Sequence, residues 1–569
     1  MLPFPKPTRR DSALILVAAI TYGLLVAAIL PGWPIAMNDD FGYLRSIIET
    51  IQHGRPWTND FLEPWSLSLV AVSAGIFKLT GSFSLATIGL QTAMGAVSFW
   101  LVCRIAHDGG YRTLASIGLA ICLLTFPTVL WKQIEYTALV VYLSCLFAAL
   151  WFAGRNRWTW FFLAWAIAVA SRPSALVWLA IPVFAGLEAA IRGKDWAKLK
   201  SPALLALPGA GWFYLVRSCA NETHAQRFIT SNIFSNATLP IVWRNFQTGL
   251  WIMAVAAGCA LLLFRALRRQ PDSPRTEVAS RLAAVVVATG LLATLPLVAH
   301  AVPLSFEHTL FENNWAEAYL KGLVVIGAIG WLLANPSFRA PYLGAAFAAL
   351  ALASFRSELW DYYLIDATLL AFFAVGPGAN VAGGNAATPN RMHWMQPALA
   401  GGLMLGIIAL HIAATGPLKR LVDHRAGACT VLEKALRAGW MKPTELSDAP
   451  FGFVAWHLLP YYLTHEGKNS ADLGGFGIYV KKDAVNVCIQ GVSRREAAAA
   501  KWGKPAQDPA HPFSEIHPRG WFGYARFTLD RLDNSQPAAV AIKWEEYHYP
   551  LFPLNDAEWR ELSQSSAGK

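Results

Sequence analysis

The sequence predicts an all-α polytopic membrane protein of about 13 transmembrane helices, followed by a small soluble α/β domain. Of its 569 residues, 55% are hydrophobic and only 15% are charged, and its mean hydropathy is +0.37. Soluble domains carry about 25% charged residues. The charge is also uneven, because residues 1–416 hold 28 Lys and Arg with 19 Asp and Glu, whereas residues 417–569 hold 19 and 17. We therefore predict a membrane module over 1–416 and a soluble domain over 417–569.

The composition also excludes several classes of protein. A cytosolic enzyme, a disordered chain and a disulfide scaffold do not fit so apolar a sequence with 7 Cys. The formal net charge is +11, but the basic residues lie between apolar runs rather than in one stripe. The sequence therefore predicts membrane lipid as a partner and no nucleic acid.

The first apolar run, 12–33, follows Lys6, Arg9 and Arg10 and is long enough to span a hydrocarbon core of ~30 Å. No small-residue cleavage site follows it, which favours an uncleaved first span. The run 158–191 is too long for one crossing, and Pro173 interrupts it, so it is interpreted as two short spans. The other predicted spans are 83–103, 113–131, 137–154, 203–216, 247–264, 282–303, 322–335, 342–355, 363–378 and 395–415.

The positive-inside rule sets the orientation and decides whether 65–81 crosses the membrane or lies at its surface. With 65–81 as an interfacial helix and the N-terminus in the cytoplasm, the inward segments carry 18 Lys and Arg with 5 Asp and Glu, and the outward segments carry 10 with 12. The inward segments are 1–11, 104–112, 155–158, 192–200, 265–281, 336–341 and 379–394. The outward segments are 34–82, 132–136, the break at 172, 217–246, 304–321 and 356–362. A crossing at 65–81 would place the basic clusters outside, so the interfacial interpretation is adopted, and the soluble domain is predicted outside the cytoplasm.

The first outward loop opens with the sequence Asn38-Asp39-Asp40. Carboxylates at a membrane face are costly and often mark function. Two adjacent carboxylates repel, so the pKa of one can be raised until it serves as a base. Asp39 could equally cap a helix predicted over 41–50. Both interpretations remain open from the residues alone.

Later outward segments add further candidates. Glu135 lies in the very short loop 132–136, where it is expected near the membrane surface as a catalytic acid or an ordinary loop acid. Arg172 either reaches to the interface or provides a fixed cation for a phosphate group. Arg356 and the pair Tyr362-Tyr363 are substrate contacts or interfacial side chains. His308 has no second His at ligand spacing, so no zinc site is predicted.

These motifs, in this order and facing, resemble the GT-C superfamily of polytopic glycosyltransferases over roughly residues 10–380. The superfamily includes the lipid A aminoarabinose transferase and the protein O-mannosyltransferases. The segment 38–43 resembles its first-loop acidic motif, and 61–65 through 77–81 resembles its Glu/Pro segment and interfacial helix. The sequences matching a second-loop acid, a basic-Pro break and a Tyr-rich motif are Glu135, Ala170-Ser171-Arg172-Pro173 and Asp361-Tyr362-Tyr363-Leu364. Many members have Lys-Pro-Pro where this chain has Pro64-Trp65, so donor-phosphate contacts are not carried over at that point.

The resemblance implies transfer of a sugar from a polyprenyl-phosphate donor to an extracytoplasmic glycan, lipid or protein, with inversion at the anomeric carbon. Asp39 or Asp40 would act as the base with Glu135 as a second acid, and a divalent metal joining Asp39 to Glu135 is left open. The substrate-binding residues it implies are Tyr43, Glu63, Arg172, Arg356, Tyr362 and Tyr363. The implied location is a bacterial inner membrane.

Two rival functions remain at this point: a transporter or flippase of lipid-linked glycans, and a non-catalytic envelope scaffold. A transporter is expected to carry ionisable residues at mid-membrane, and only Glu188 and Asp366 fall inside apolar runs, near predicted ends. In the soluble domain, helices are predicted at 429–440 and 453–465 and strands at 476–491, 524–529 and 538–547. A disulfide is predicted between Cys429 and Cys488.

Overall fold

The chain divides into two compact units, Met1–Thr415 and Gly416–Lys569, in a computed structural model. The structure describes residues 8–30, 40–59, 62, 66–193, 200–223, 237–267, 278–294, 315–333, 338–356, 359, 361–375, individual residues between 402 and 438, and strands at 446–447, 485–491, 513–518, 523–532 and 539–548.

The described part of the first unit is helical. Its first helices are α1 (Arg9–Ile29), α2 (Asp40–His53), α3 (Leu67–Thr80), α4 (Leu90–Asp108, preceded by a π-helical turn at Leu85–Gly89), α5 (Thr113–Leu124), α6 (Pro127–Ile134), α7 (Leu139–Gly154) and α8 (Trp158–Val169). They are followed by a 3₁₀ segment (Pro173–Leu179), α9 (Ala180–Gly193), α10 (Lys200–Cys219), α11 (Leu239–Leu267), α12 (Val278–Ala293), α13 (Trp315–Leu333), α14 (Ala340–Ser354), a 3₁₀ turn (Asp361–Tyr363) and α15 (Ile365–Ala374).

Several of these helices are long and apolar enough to cross a membrane. Within the described residues they are Arg9–Ile29, Leu85–Asp108, Pro173–Ile191 and Leu239–Phe264, and α5 with α6 forms a fifth span if this bent pair is counted as one. The other apolar helices are shorter, between 10 and 17 residues. The chain is therefore a helical membrane protein.

The predicted single span 113–131 is broken in the structure. Helix α5 ends at Leu124, and α6 departs from it at an angle of 75°. Pro127 causes the break, because its ring excludes a continuing helix and it lacks a backbone N–H. The preceding residue, Phe126, accordingly leaves the helical conformation, with ψ of 127°. Every residue of α6 is buried, so this short helix lies inside the bundle and carries its polar side chains there.

Small residues allow α11 and α13 to pack closely. A methyl group added at Gly330 of α13 would meet the carbonyl oxygen of Gly258 of α11, and one added at Gly258 would meet the Gly327 carbonyl. Without a strong hydrophobic drive between helices inside lipid, such close backbone packing is a main source of association. These glycines therefore help fix α11, whose first turns support the candidate site.

The substitution Gly330→Ala is expected to lower the free energy of unfolding by about 1–3 kcal/mol, because the added methyl has no room against α11. The measurement is the thermal unfolding midpoint of the detergent-purified protein, followed by helical circular dichroism. Gly322→Ala in the same helix is the matched control, since a methyl there meets nothing within 4 Å. Equal midpoints for the two variants would contradict the close packing.

Several of the contacts between distant segments lie at or beside predicted loops and form two sets. One set comprises the Ser73–Tyr136 hydroxyl pair, Ser68 N donating to Ala170 O at 3.0 Å, the reciprocal Thr58–Asn221 hydrogen bonds, and Asn245 Nδ2 donating to Arg356 O at 2.7 Å. The other comprises Thr113 Oγ1 donating to Asp11 Oδ1 at 2.5 Å, the Arg155–Asp108 ion pair at 2.7 Å, and Arg339 N donating to Ala374 O at 2.8 Å. The first set joins segments that the charge pattern predicts to be outward, and the second joins segments predicted to be inward. We call the first set the outer contacts.

The described part of the second unit holds a five-stranded sheet with the order β1-β2-β5-β4-β3. Its strands are β1 (Leu446–Ser447), β2 (Val485–Gly491), β3 (Phe513–Pro518), β4 (Gly523–Leu532) and β5 (Ala539–His548). The pairs β1–β2 and β2–β5 are parallel, and β5–β4 and β4–β3 are antiparallel. The sequence missed β1 and β3. The predicted helix at 453–465 and the Cys429–Cys488 disulfide lie outside the described residues.

Candidate functional site

The structure places only part of the predicted first-loop site. Asp39 and Glu63 lie outside the described residues. Asp40 is the first residue of α2, and its side chain is likewise outside the described part, while Tyr43 lies half-buried on α2. The roles of the two aspartates and of Glu63 therefore stay predictions.

The segment that follows the acid pair folds back on itself. The backbone N–H of Asn59 donates to Ser46 Oγ at 2.8 Å, and Asn59 Nδ2 donates to Glu49 Oε1 at 3.0 Å. Thr58 exchanges hydrogen bonds with Asn221, which follows α10, at 2.9 and 2.7 Å. These bonds join the C-terminal part of the first loop to α2 and to Asn221, and so include α2 in the network of outer contacts.

Tyr136 gives the first loop a further anchor. Its hydroxyl is hydrogen-bonded to that of Ser73 on α3. Burial raises the pKa of the Tyr136 phenol, which keeps it protonated and uncharged. Helix α3 is thereby fixed to the segment that carries Glu135.

Glu135 is buried against its neighbours in the helical unit, which the short loop 132–136 did not predict. Its expected position near the membrane surface stays a prediction. Its exposed fraction is 1%, and it forms an ion pair with Lys132, of which 5% is exposed. The bend between α5 and α6 directs both residues toward the neighbouring helices. A charge in such surroundings is tolerated only when it is paired, so each residue explains the burial of the other.

Lys132 links this pair to the predicted tyrosine motif. Its ammonium lies 4.4 Å from the ring centroid of Tyr362, and that ring lies 4.3 Å from the ring of Tyr363. The Arg356 guanidinium carbon stands 3.7 Å from the centroid of Tyr363. Cations within about 6 Å of an aromatic face are attracted to it. The structure thus brings Lys132, Glu135, Arg356, Tyr362 and Tyr363 into one group. We call these five residues the tyrosine-cation cluster.

Arg356 is held in place but incompletely bonded. Asn245, buried on α11, donates through Nδ2 to the Arg356 carbonyl oxygen at 2.7 Å and to the Ser354 carbonyl oxygen at 3.3 Å. The Nη1 atom of Arg356 is buried, yet among the described residues it has no hydrogen-bond partner. Buried donors are nearly always bonded, so this N–H group suits an oxyanion of a ligand.

A second buried group surrounds Asp366, which the sequence had not singled out as a site. Its carboxylate, 3% exposed, accepts hydrogen bonds from the Tyr142 hydroxyl at 2.8 and 2.9 Å and from Trp178 Nε1 at 3.1 Å. The Arg172 guanidinium carbon lies 5.6 Å from the centroid of the Tyr142 ring, and Arg172 is close enough to Asp366 to interact with it electrostatically. A single acid within an apolar run was the only signal in the sequence for Asp366. Arg172 therefore has an acidic neighbour, and its predicted role as a cation for a phosphate group stays a prediction.

A metal site receives no support from the described residues. No group of three His, Cys, Asp or Glu side chains among them could hold a metal ion. The Glu135 carboxylate is instead paired with Lys132. The metal bridge considered between Asp39 and Glu135 involves a residue outside the described part and stays a prediction.

The chain matches no known family model, no curated protein and no solved structure. The likeness to GT-C enzymes therefore rests on the residues and motifs alone.

The substitution Lys132→Met is expected to destabilise the protein by about 3–5 kcal/mol, because it leaves the Glu135 charge buried without its partner. The double variant Lys132→Met with Glu135→Gln should recover most of that loss, since neither side chain is then charged. The measurement is the thermal unfolding midpoint of the purified protein.

Arg45→Met supplies the matched control for an i,i+4 pair nearer the surface. Arg45 and Glu49 form an ion pair at 2.9 Å whose side chains are 29% and 16% exposed. Such a pair contributes about 0–1 kcal/mol. A Lys132→Met loss no larger than that of Arg45→Met would disprove the buried pair.

Proposed function

We propose that this protein is an inverting glycosyltransferase of the GT-C type, which moves a sugar from a polyprenyl-phosphate donor to an extracytoplasmic glycan, lipid or protein. The observation that supports it best is the convergence of Glu135, Arg356 and Tyr362-Tyr363 in one cluster. These residues come from two segments that are distant in the sequence, one at 135 and one at 356–363, and the charge pattern predicts outward loops at both places, 132–136 and 356–362. A set of caps and interfacial aromatics has no reason to converge in this way.

Arg356 is the proposed ligand of the donor phosphate. Stacking on Tyr363 orients the guanidinium, and its buried Nη1–H lacks a partner among the described residues. Arg forms bidentate hydrogen bonds with phosphate. The two other candidate cations, Lys132 and Arg172, each have an acid at hand in Glu135 and Asp366. We therefore assign the phosphate to Arg356 rather than to Arg172.

In the proposed reaction, Asp39 or Asp40 removes the proton of the acceptor hydroxyl. The acceptor oxygen bonds to the anomeric carbon while the bond from that carbon to the phosphate oxygen breaks, which inverts the centre. The lipid phosphate leaves with the electron pair, and Arg356 stabilises its charge. Tyr43, Glu63, Tyr362 and Tyr363 are proposed to contact the substrates.

The proposed setting is a bacterial inner membrane that the chain crosses 13 times, with the N-terminus in the cytoplasm. This orientation follows from the excess of Lys and Arg in the inward segments. It places the tyrosine-cation cluster at the outer face, within reach of a lipid-borne sugar. The soluble α/β domain of residues 417–569 would lie outside the cytoplasm, where the acceptor is found.

The test compares Asp39→Asn, Asp40→Asn and Arg356→Gln for glycan on envelope material and for lipid-linked donor in the membrane. Loss of glycan with accumulation of donor is expected for Arg356→Gln and for at least one aspartate variant. We expect a loss of rate of about 100-fold for the base and for the phosphate ligand. Arg356→Lys should be intermediate, because it keeps the charge but not the planar fork.

Arg339→Gln is the matched control, since Arg339 also lies over a tyrosine ring, 5.7 Å from Tyr342, but makes its backbone contact with Ala374 outside the outer set. It should retain full glycan transfer. Unchanged glycan in both aspartate variants would contradict the mechanism and favour a scaffold. Donor retained in the inner leaflet in the Arg356→Gln variant would favour a flippase.

A further inference from the structure

We propose that Asp366 is a positioning residue, which holds the Tyr362-Tyr363 pair and through it the phosphate-binding Arg356. This inference rests on the proposed function for the meaning of the phosphate site. The claim that one buried carboxyl group fixes the tyrosine-cation cluster does not depend on the proposed function, because it is argued from the contacts of Asp366.

Asp366 is anchored to two other elements. On α7, the Tyr142 hydroxyl reaches both carboxylate oxygens. On the 3₁₀ segment, Trp178 donates to Oδ1, and Ser174 Oγ lies 2.9 Å from the Tyr142 hydroxyl. A net contribution of about 0.5–1.5 kcal/mol is typical of each such intramolecular hydrogen bond. Asp366 therefore fixes the start of α15 against α7 and the broken helix.

The two tyrosines lie only three and four residues before Asp366 in the chain. Tyr363 ends the 3₁₀ turn, Leu364 precedes α15, and the helix starts at Ile365. The first helical hydrogen bond, from Thr368 N to Leu364 O at 2.8 Å, closes this turn. A chain advances at most ~3.6 Å per residue, so the tyrosine backbone cannot move far while Asp366 is held. The rings that stack on Lys132 and Arg356 are positioned accordingly.

The first test is hydrogen exchange over residues 359–364 of the full-length protein in nanodiscs, measured for Asp366→Asn. We expect exchange of these amides to accelerate about tenfold or more, because the anchor of the turn is weakened. Asp108→Asn is the matched control. Asp108 is also a buried acid bonded to an indole N–H, that of Trp151 at 2.8 Å, and to Arg155 at 2.7 Å, but it belongs to the other contact set. It should leave exchange at 359–364 unchanged.

The second test is binding of farnesyl phosphate, with farnesol as the uncharged probe. Asp366→Asn should weaken farnesyl phosphate binding about tenfold, which corresponds to one charge-assisted hydrogen bond, and leave farnesol binding unaltered. A role in folding alone would affect both probes alike. Tyr142→Phe gives a milder loosening if Asp366→Asn does not fold.

The outcomes separate the two proposals. If the wild-type protein binds farnesyl phosphate no better than farnesol, the phosphate site and the proposed function fail, whereas exchange at 359–364 still decides the role of Asp366. If the wild type prefers farnesyl phosphate and neither Asp366→Asn nor Tyr142→Phe changes exchange or affinity, the positioning role is overturned. Equal acceleration at 359–364 in Asp108→Asn would likewise overturn it, since the effect would then be general.

Discussion

The interior of this membrane unit depends on neutralising charge where no water can do so. A buried ion costs several kcal/mol even after relaxation, and the cost is recovered only with an opposite charge and complete hydrogen bonding. Lys132 and Glu135, which are 5% and 1% exposed, form such a pair. Asp108 and Arg155 form a second pair, in which 19% of the Arg155 side chain is exposed. Because the pairs have strict geometry, the helices that carry them have one arrangement, which is what a site for chemistry requires.

The break at Pro127 delivers these charges to the interior. A straight helix through 113–131 would continue along the axis of α5. The 75° turn instead lays α6 across the bundle with every side chain buried. The same segment then reaches α4, because Gln91 Nε2 donates to the Ile134 carbonyl oxygen at 2.6 Å. Local backbone chemistry at one proline thus determines which polar groups meet inside.

The sequence was informative where composition and spacing suffice and failed where tertiary contacts decide. The apolar runs and the break beside Pro173 follow from hydropathy and from the proline itself. The facing of Glu135, Arg356 and the tyrosines rests on the basic residues alone and stays a prediction. The burial of Glu135 did not follow, since loop length says nothing of the direction in which α6 turns. Asp366 gave only the weak signal of one acid in an apolar run, because its partners lie on α7 and the 3₁₀ segment. Strand β3, Phe513–Pro518, was missed because polar residues occupy both of its faces and its pairing with β4 supplies the order.

The hydrogen bonding of the buried cations distinguishes those that support the structure from the one proposed to bind a ligand. A polar group whose bonds are complete gains little from a ligand, because binding would exchange one bond for another. A buried donor without a partner already carries its desolvation cost, so an incoming oxyanion contributes nearly the full strength of the new bond. Within the described residues, Arg356 fits this description, with its ring stacking and backbone already fixed by Tyr363 and Asn245. Lys132 and Arg172 have acids beside them and hold the rings in place. The unequal bonding of these three cations is thus the physical reason to propose recognition by Arg356 and support by Lys132 and Arg172.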